Sequence, residues 1–345
     1  MAKERSINNY QESTDPRGGN EALGQSEAFL EFQERLSQVA RVNRSVLLIG
    51  ERGTGKELAA VRLHYLSQRW QGPLVTLNCA ALSPLLIESE LFGYEAGAFT
   101  GAGSRRIGRF ELAGEGTLFL DELANIPMEV QEKILRVVEY GSFERVGGSR
   151  SIQADVRIIG ATNIDLPAMV MEGKFKQDLL DRLSFEVLFL PPLRDRKGDI
   201  TFLAHHFATR MAFELGQEKA AEFSEEALDQ LEGYLWPGNV RELKNVVERA
   251  VYRARGSLIT HITFDPFQSP YQPDLAQAKR EPAPVSEYPK LTHQSFSQAV
   301  QGFEISLLKQ AVTQARFNQR KAAQILGLTY HQFRGLYRKY GDRLK

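Results

Sequence analysis

The chain has almost nothing to cross-link it covalently and no apolar run long enough for a membrane-spanning helix. Its 345 residues include a single cysteine, Cys79, which cannot close an internal disulfide or complete a multi-cysteine zinc site. A reducing compartment is the expectation. The longest apolar runs, such as Val46-Leu47-Leu48-Ile49, fall far short of the ~20 residues that span a membrane. The amino terminus, Met-Ala-Lys-Glu-Arg-Ser, lacks the apolar core of a leader peptide, so a cytoplasmic protein is expected. Net charge is missing as well: 43 Lys and Arg balance 43 Asp and Glu. The six histidines are scattered, and the adjacent pair His205-His206 would point in different directions on a helix, so no zinc constellation is expected. What remains, 42% hydrophobic and 25% charged residues, is the composition of a globular protein and excludes a fibrous or wholly disordered one.

The charge balance conceals an asymmetry. From Lys290 to the end there are ten basic residues against Glu304 and Asp342, a net charge of +8, so residues 1–289 carry −8. A basic C-terminal module on an acidic body suggests an anionic partner for that module alone. Residues 1–22 are polar and without apolar period, and are expected to be disordered. From there to about Phe267, short β-rich runs alternate with helical patterns. Ser45–Ile49, Leu74–Leu77, Thr117–Leu120 and Val156–Ile159 read as buried strands, and Met128–Tyr140 as one of the helices between them. That is the pattern of a parallel sheet covered by helices, an α/β fold. A helical subdomain is expected from about Asp199, and a linker over 269–293, where five prolines stand among polar residues.

Gly50-Glu51-Arg52-Gly53-Thr54-Gly55-Lys56 follows an apolar strand and precedes a helix beginning near Glu57. Glycines at this spacing let backbone N–H groups turn towards a phosphate, and the helix N-terminus adds a favourable dipole. Lys56 would reach the β- and γ-phosphates of a nucleoside triphosphate. The residue after it is Glu57, where the general pattern has a hydroxyl ligand for Mg2+. Metal binding must then rest on a second motif, Thr117-Leu118-Phe119-Leu120-Asp121-Glu122, an apolar strand ending in two carboxylates. Asp121 would hold Mg2+, directly or through water, and Glu122 would polarise the attacking water. Asn163, after Gly160-Ala161-Thr162, and Asn78, after Leu74–Leu77, stand at further strand ends. Each could orient the lytic water, or could simply cap a turn.

Between the two nucleotide motifs lies Gly97-Ala98-Phe99-Thr100-Gly101-Ala102, preceded by Glu90-Leu91-Phe92-Gly93-Tyr94-Glu95-Ala96. Read alone it is only a flexible loop with one aromatic residue, and a core role is the plainer reading of Phe99. The hexapeptide in this context resembles the signature loop of the sigma-54-dependent transcriptional activators, or bacterial enhancer-binding proteins, of the AAA+ ATPases. Glu57 after Lys56 also matches that family. The resemblance covers roughly residues 23–267 and 294–345. It implies an AAA+ α/β subdomain over 23–198, a helical lid over 199–268 and an all-α helix-turn-helix domain over 294–345. It also implies that the hexapeptide contacts sigma-54 and transmits the ATPase stroke.

Two further segments take their roles from that resemblance. Leu179-Leu180-Asp181-Arg182-Leu183 is similar to the arginine-finger segment, so Arg182 would reach the γ-phosphate of a neighbouring subunit in a hexameric ring. The plainer alternative is a salt bridge from Arg182 to Asp178. Lys176 occupies an earlier basic position of that segment, and lacks the fork of an arginine. Trp236-Pro237-Gly238-Asn239-Val240-Arg241-Glu242-Leu243 is similar to the start of the sensor-2 helix, where Arg241 would touch the nucleotide's phosphates.

In the basic tail, Asn318–Thr329 fits a helix followed by a glycine turn, and Thr329 would cap a second helix over about Tyr330–Tyr340. As a helix-turn-helix it would direct Thr329, Tyr330, His331, Gln332 and Arg334 towards the major groove, with Arg320, Lys321 and Arg338 near the backbone. The helix before it would pair two modules, so the enhancer DNA is expected to be pseudo-palindromic.

A regulatory domain does not fit into residues 1–22. Control by a separate inhibitory protein is therefore expected, and the resemblance implies one of the phage shock protein A type serving an envelope-stress operon. Trp70, in the polar run Ser67–Pro73, is the candidate contact; the alternative is a core tryptophan on the sheet edge. A DNA-binding repressor that uses ATP only for assembly, and an unfoldase, are the competing classes. The carboxylate pair and Arg182 argue against the first, the hexapeptide and the basic tail against the second.

Overall fold

The computed structural model describes residues 22–217, 221–254, 256–267, 296–315 and 318–341. Most of the expected N-terminal tail and all of the expected linker lie outside these residues. The chain forms two compact units, divided after Pro266.

In the first unit, five parallel strands form one sheet in the order β2-β5-β8-β1-β9. These are β1 (Val46–Ile49), β2 (Leu74–Asn78), β5 (Thr117–Asp121), β8 (Arg157–Thr162) and β9 (Glu186–Phe189). The four strands expected from their apolar runs are present, and β9 adds an edge strand. Alternate residues serve opposite faces, as the pleat requires. Leu47, Leu118, Leu120 and Ile158 pack with α3 (Pro84–Phe92), α5 (Met128–Tyr140) and α7 (Gln177–Leu183). Val46, Leu48, Phe119, Ile159 and Ala161 pack with α1 (Glu27–Ala40) and α2 (Lys56–Tyr65) on the other face. Helices therefore cover both sides, and the central strands are apolar throughout.

Two antiparallel hairpins are inserted into this frame. The pair β3 (Gly93–Tyr94) and β4 (Arg106–Ile107) leads into α4 (Arg109–Leu112), and β6 (Ser142–Glu144) pairs with β7 (Ser151–Gln153). A short α6 (Leu166–Met171) precedes α7. The helical part follows: α8 (Asp199–Glu214), α9 (Glu225–Gly233) and α10 (Asn239–Arg253), with β10 (Glu222–Phe223) parallel to β11 (Leu258–Ile259). Its core surrounds Trp236, which is fully buried and donates its indole N–H to the Leu231 carbonyl at 2.8 Å.

The second unit holds α11 (Phe296–Gln314), α12 (Gln319–Ile325) and α13 (Tyr330–Tyr340). Their shared core contains Leu308, Val312, Ala322, Ala323 and Phe333. Asn318 caps α12 by accepting from the N–H groups of Arg320 and Lys321. Gly327 turns the chain at φ 64°, a conformation glycine adopts freely. Thr329 and Gln332 then form a capping box at the start of α13.

Candidate nucleotide site and the exposed hairpin

A parallel sheet collects its functional residues at the carboxyl ends of its strands. Here β1 runs directly into the Gly50–Gly55 loop, and β5 ends at Asp121. The pairing places Asn78 opposite Asp121, and Ile49 opposite Thr162. Two loop glycines have left-handed backbones, Gly53 at φ 77° and Gly55 at φ 99°. Nothing lies within 4 Å of the position of a Cβ on Gly55, so the backbone there faces open space. Lys56, largely buried, donates to the carbonyls of Gly50 (2.9 Å) and Glu51 (3.2 Å). An ammonium has three protons, so one donor remains for a ligand. Burial pushes the lysine's pKa down; the carboxylates of Glu122 and Asp121 oppose this, while Arg241 and Arg52 reinforce it. Two acids and two arginines thus surround one ammonium, a site suited to a polyphosphate with its counter-ion.

The loop's other residues are locked by their neighbours. The Thr54 hydroxyl donates to the Glu51 carbonyl at 2.8 Å. The Glu51 carboxylate turns away from the lysine, to Arg194 and Asn239. Those partners, the Arg194 hydrogen bond first, pull its pKa down to about 2. Glu57 is exposed in the first turn of α2.

At the end of β5, Asp121 Oδ1 accepts the Glu122 N–H at 3.0 Å, and Glu122 takes a left-handed backbone at φ 53°. For a glutamate that conformation is costly, and such strain is found where a side chain must be aimed. Cys79 lies close enough for Asp121 and Glu122 to add to the rise of its thiol pKa to about 12, most of which comes from burial. Asn78 is exposed and its side-chain oxygen accepts the Ala80 N–H at 2.9 Å, so the turn-capping alternative is part of its role. Asn163 is exposed beyond β8. Thr162, just before it, is fully buried, and its carbonyl accepts the Gly50 N–H at 3.2 Å. Sequence reading passed over Thr162; the only signal was a hydroxyl residue at a strand end next to the phosphate loop.

Arg182 does not pair with Asp178. Its guanidinium donates to Glu139 on α5, at 3.0 and 3.2 Å, because the fork extends across to the neighbouring helix rather than along its own. Lys176 caps α7 and its Nζ donates to Glu132 at 2.6 Å. Arg241 stands in the first turn of α10.

The hexapeptide occupies the tip of the β3–β4 hairpin. Gly97 (φ 82°) and Gly101 (φ 101°) make its bends, and the Gly97 N–H donates to the Ala102 carbonyl at 2.8 Å. Ala102 is buried, whereas Phe99 and Thr100 are exposed. Phe99 meets Tyr94 edge to face at 4.9 Å and is not core. Ala98 rests on Gly147, where a Cβ would approach to 2.6 Å. Arg145, between β6 and β7, binds Glu95 at 2.6 Å and Glu111 at 2.5 Å. The hairpin base is therefore anchored while its tip projects.

Trp70 is 55% exposed, with Tyr65 and Leu66 also exposed in part, and is not folded into the sheet edge. In the second unit, His331, Arg334 and Arg338 are exposed along α13, opposite the buried Phe333 and Tyr340. Arg320 stacks over the half-buried Tyr330 at 5.8 Å, and Lys321 is exposed. The Gln332 side-chain oxygen Oε1 accepts from the Thr329 N–H and hydroxyl in the capping box.

The sigma-54 interaction domain matches residues 22–188 and the AAA+ ATPase lid domain matches 194–280. The chain is 54% identical to the Psp operon transcriptional activator of Escherichia coli (strain K12) over 320 residues, 92% of this chain and 97% of that protein. It is 41% identical to the regulatory protein AtoC of the same strain over 319 residues, 92% of this chain and 67% of that one. The crystal structure of NtrX from Brucella abortus in complex with ATP is similar in fold, with a TM-score of 0.64 at 33% identity, covering 93% of this chain and 70% of that chain. The chain belongs to the sigma-54-dependent transcriptional activators, the AAA+ ATPases that drive transcription by sigma-54 RNA polymerase.

Proposed function

We propose that the protein binds enhancer DNA through its C-terminal unit and uses ATP hydrolysis to remodel the sigma-54 RNA polymerase closed complex, driving open-complex formation. The observation that carries this reading is the projecting Gly97–Ala102 hairpin, a separate two-stranded ribbon inserted in the chain between the strand ends that carry Lys56 and the Asp121–Glu122 pair. Domain limits of 23–198, 199–268 and 294–345 go with it.

In this reading the backbone of Gly50–Gly55 cradles the phosphates of ATP, Lys56 binds the β- and γ-phosphates, and Arg241 adds a contact from the helical part. The donor set fits Mg2+: Asp121 offers a hard carboxylate oxygen whose field reaches Lys56, and with Glu57 in place of a hydroxyl ligand the rest of the ion's coordination would fall to phosphate and water oxygens. The ion, held by Asp121 directly or through water, would neutralise charge on the phosphates. Glu122 polarises a water for in-line attack on the γ-phosphorus, with Asn163 and Asn78 orienting it. The bond to the β–γ bridging oxygen breaks, and ADP and phosphate leave. Arg182 acts in trans, so the site is complete only between subunits of a ring assembled from dimers to a hexamer. The energy is delivered through Phe99 and Thr100 to sigma-54.

On DNA, α12 and α13 act as a helix-turn-helix on a pseudo-palindromic site. His331, Arg334 and Tyr330 face base edges, and Arg320, Lys321 and Arg338 face phosphates. Thr329 and Gln332 set the start of the reading helix. The similarity to the Psp operon activator supports a phage-shock or envelope-stress operon as target, and an inhibitor of the phage shock protein A type bound at Trp70.

The test is open-complex formation on a sigma-54 promoter. With ATP the protein should open the promoter. With ADP–metal fluoride it should form a stable complex with sigma-54 holoenzyme. Opening by the hydrolysis-defective Glu122→Gln variant at the parent rate would overturn the reading.

A further inference from the structure

The phosphate loop contains a carboxylate, Glu51, that has no evident reason to be there. A free carboxylate next to bound polyphosphate would repel it. The structure disposes of that charge by turning the side chain outward. Arg194 grips it through both guanidinium arms, at 2.9 and 2.5 Å, and Asn239 Nδ2 donates to Oε2 at 3.0 Å.

Both partners belong to the helical part or its approach. Arg194 lies in the 3-10 turn Leu193–Asp195, just ahead of α8. Asn239 is the first residue of α10, fully buried and in a left-handed conformation at φ 51°. Its side chain is saturated: Oδ1 accepts the Leu193 N–H at 2.8 Å, and Nδ2 serves both Glu51 and the Arg52 carbonyl at 3.1 Å. Asparagine tolerates such a φ better than most side chains, and here the contacts over-determine it. Beside this junction the Gly238 carbonyl lies 2.2 Å from where a Cβ on Gly53 would fall, so the two backbones are in direct contact. Arg241 follows Asn239 by two residues, and its positive field reaches Lys56.

We propose that Glu51 is a positioning residue for ATP hydrolysis: by clamping Asn239 and Arg194 it fixes the start of α10 against the phosphate loop and so aims Arg241 at the nucleotide. This rests on the reading of Arg241 as a phosphate contact. The clamp joins elements far apart in sequence, 188 residues for Glu51–Asn239 and 143 for Glu51–Arg194. The ion pair is also substantially exposed, at 41% for Glu51 and 39% for Arg194. Exposed pairs add ~1 kcal/mol or less to stability, so a purely structural role for this ion pair predicts almost no effect of Arg194→Ala. Misaiming Arg241 predicts a kinetic effect out of proportion to that.

The experiment measures steady-state ATPase and thermal unfolding for Glu51→Ala, Arg194→Ala, Arg241→Ala and the double variant Glu51→Ala/Arg241→Ala, with ring assembly checked by sedimentation. Glu51→Ala and Arg194→Ala should each lower kcat/KM by about ten- to a hundredfold, the scale of a small misplacement at a reacting centre. Their melting temperatures should stay close to that of the parent. The double variant should turn over no more slowly than Arg241→Ala alone, because Glu51 has nothing left to aim. Parent-like turnover in Arg194→Ala, or losses that multiply in the double variant, would overturn the proposal. Parent-like turnover in Arg241→Ala would instead remove the reading of Arg241 itself, and the proposal with it.

Discussion

Arg182 Nη2 lies 3.0 Å from Glu139 Oε1, a bond between two helices that leaves the guanidinium 60% exposed. So exposed a pair stabilises the fold by no more than about 1 kcal/mol and is readily exchanged for a phosphate. Arg182→Ala should therefore unfold like the parent while losing about 10³-fold or more in turnover, the scale of an arginine finger. Mixed with Lys56→Ala, it should regain part of its ATPase activity, since some interfaces then combine an intact loop with an intact finger. Mixed rings, verified by mass, that stay inactive at every ratio would exclude action in trans.

The surroundings of Lys56 separate binding from chemistry. Its ammonium is already desolvated and holds two carbonyls, so a bound triphosphate gains a cation that has little water left to shed. Lys56→Ala should abolish nucleotide binding, measured by fluorescent-nucleotide titration. Glu122→Gln keeps the shape and the strained backbone but removes the charge. It should bind ATP as the parent does and lose at least about 10²-fold in kcat, the weight of a general base.

The hairpin predicts a different dissociation of effects. Phe99 and Thr100 are exposed at the hairpin tip, with Phe99 against Tyr94, and the anchoring falls to Arg145 with Glu95 and Glu111. Phe99→Ala and Thr100→Ala should retain most of the ATPase rate yet fail to open a sigma-54 promoter. Equal loss of both activities would make the loop an assembly element.

How much of this was legible beforehand depended on the range of the interaction. The phosphate loop, the Asp121–Glu122 strand and the caps of α13 are local, because each is written in a few consecutive residues whose backbone preferences agree. The edge strand β9 was missed. Its alternation, with exposed Phe185 and Phe189 around buried Leu188, is short and reads equally as loop. The alternative offered for Arg182, a salt bridge to Asp178, named the wrong acid, since Glu139 is 43 residues away and only the packing of α5 on α7 brings it near. The Glu51 clamp was invisible for the same reason. A glutamate inside a glycine loop shows its charge in the sequence, but the arginine that neutralises it lies beyond the whole sheet.

One buried group carries a pH dependence. His64 is 1% exposed on α2, and its Nδ1 lies 2.9 Å from the Thr117 hydroxyl at the start of β5. Burial pushes its pKa below the usual 6.5; the hydrogen bond with the Gly72 backbone pulls the other way, and the charge of Arg157 pushes it further down. The folded state thus binds the proton less tightly than the unfolded chain. The stability this contributes is present above pH 6.5 and is lost as pH falls from there through the folded pKa. A single such group gives a slope of at most about 1.4 kcal/mol per pH unit. Denaturant melts between pH 7.5 and 5.5 should show stability falling with acid, and His64→Gln should flatten that slope. An unchanged slope would place the titration elsewhere.

His64 also bears on the proposed inhibitor contact, because it braces the turn that displays Trp70. Arg69, next to Trp70, ties that turn to Asp155 and to Asn43, so the tryptophan is presented by a fixed backbone rather than a floppy one. A half-exposed tryptophan on a rigid turn, a few residues after the exposed Tyr65 and Leu66, has the make-up of an interface anchor. Removing it takes little from the core. Trp70→Ala should leave the melting temperature and basal ATPase near parental values, while the affinity for a phage shock protein A type partner falls by at least about 2 kcal/mol, roughly thirtyfold in Kd. The measurement is titration of ATPase inhibition by that partner. Full inhibition of the variant at the parent concentration would move the contact to another surface, and a collapse of basal ATPase would show that the indole supports the nucleotide fold instead.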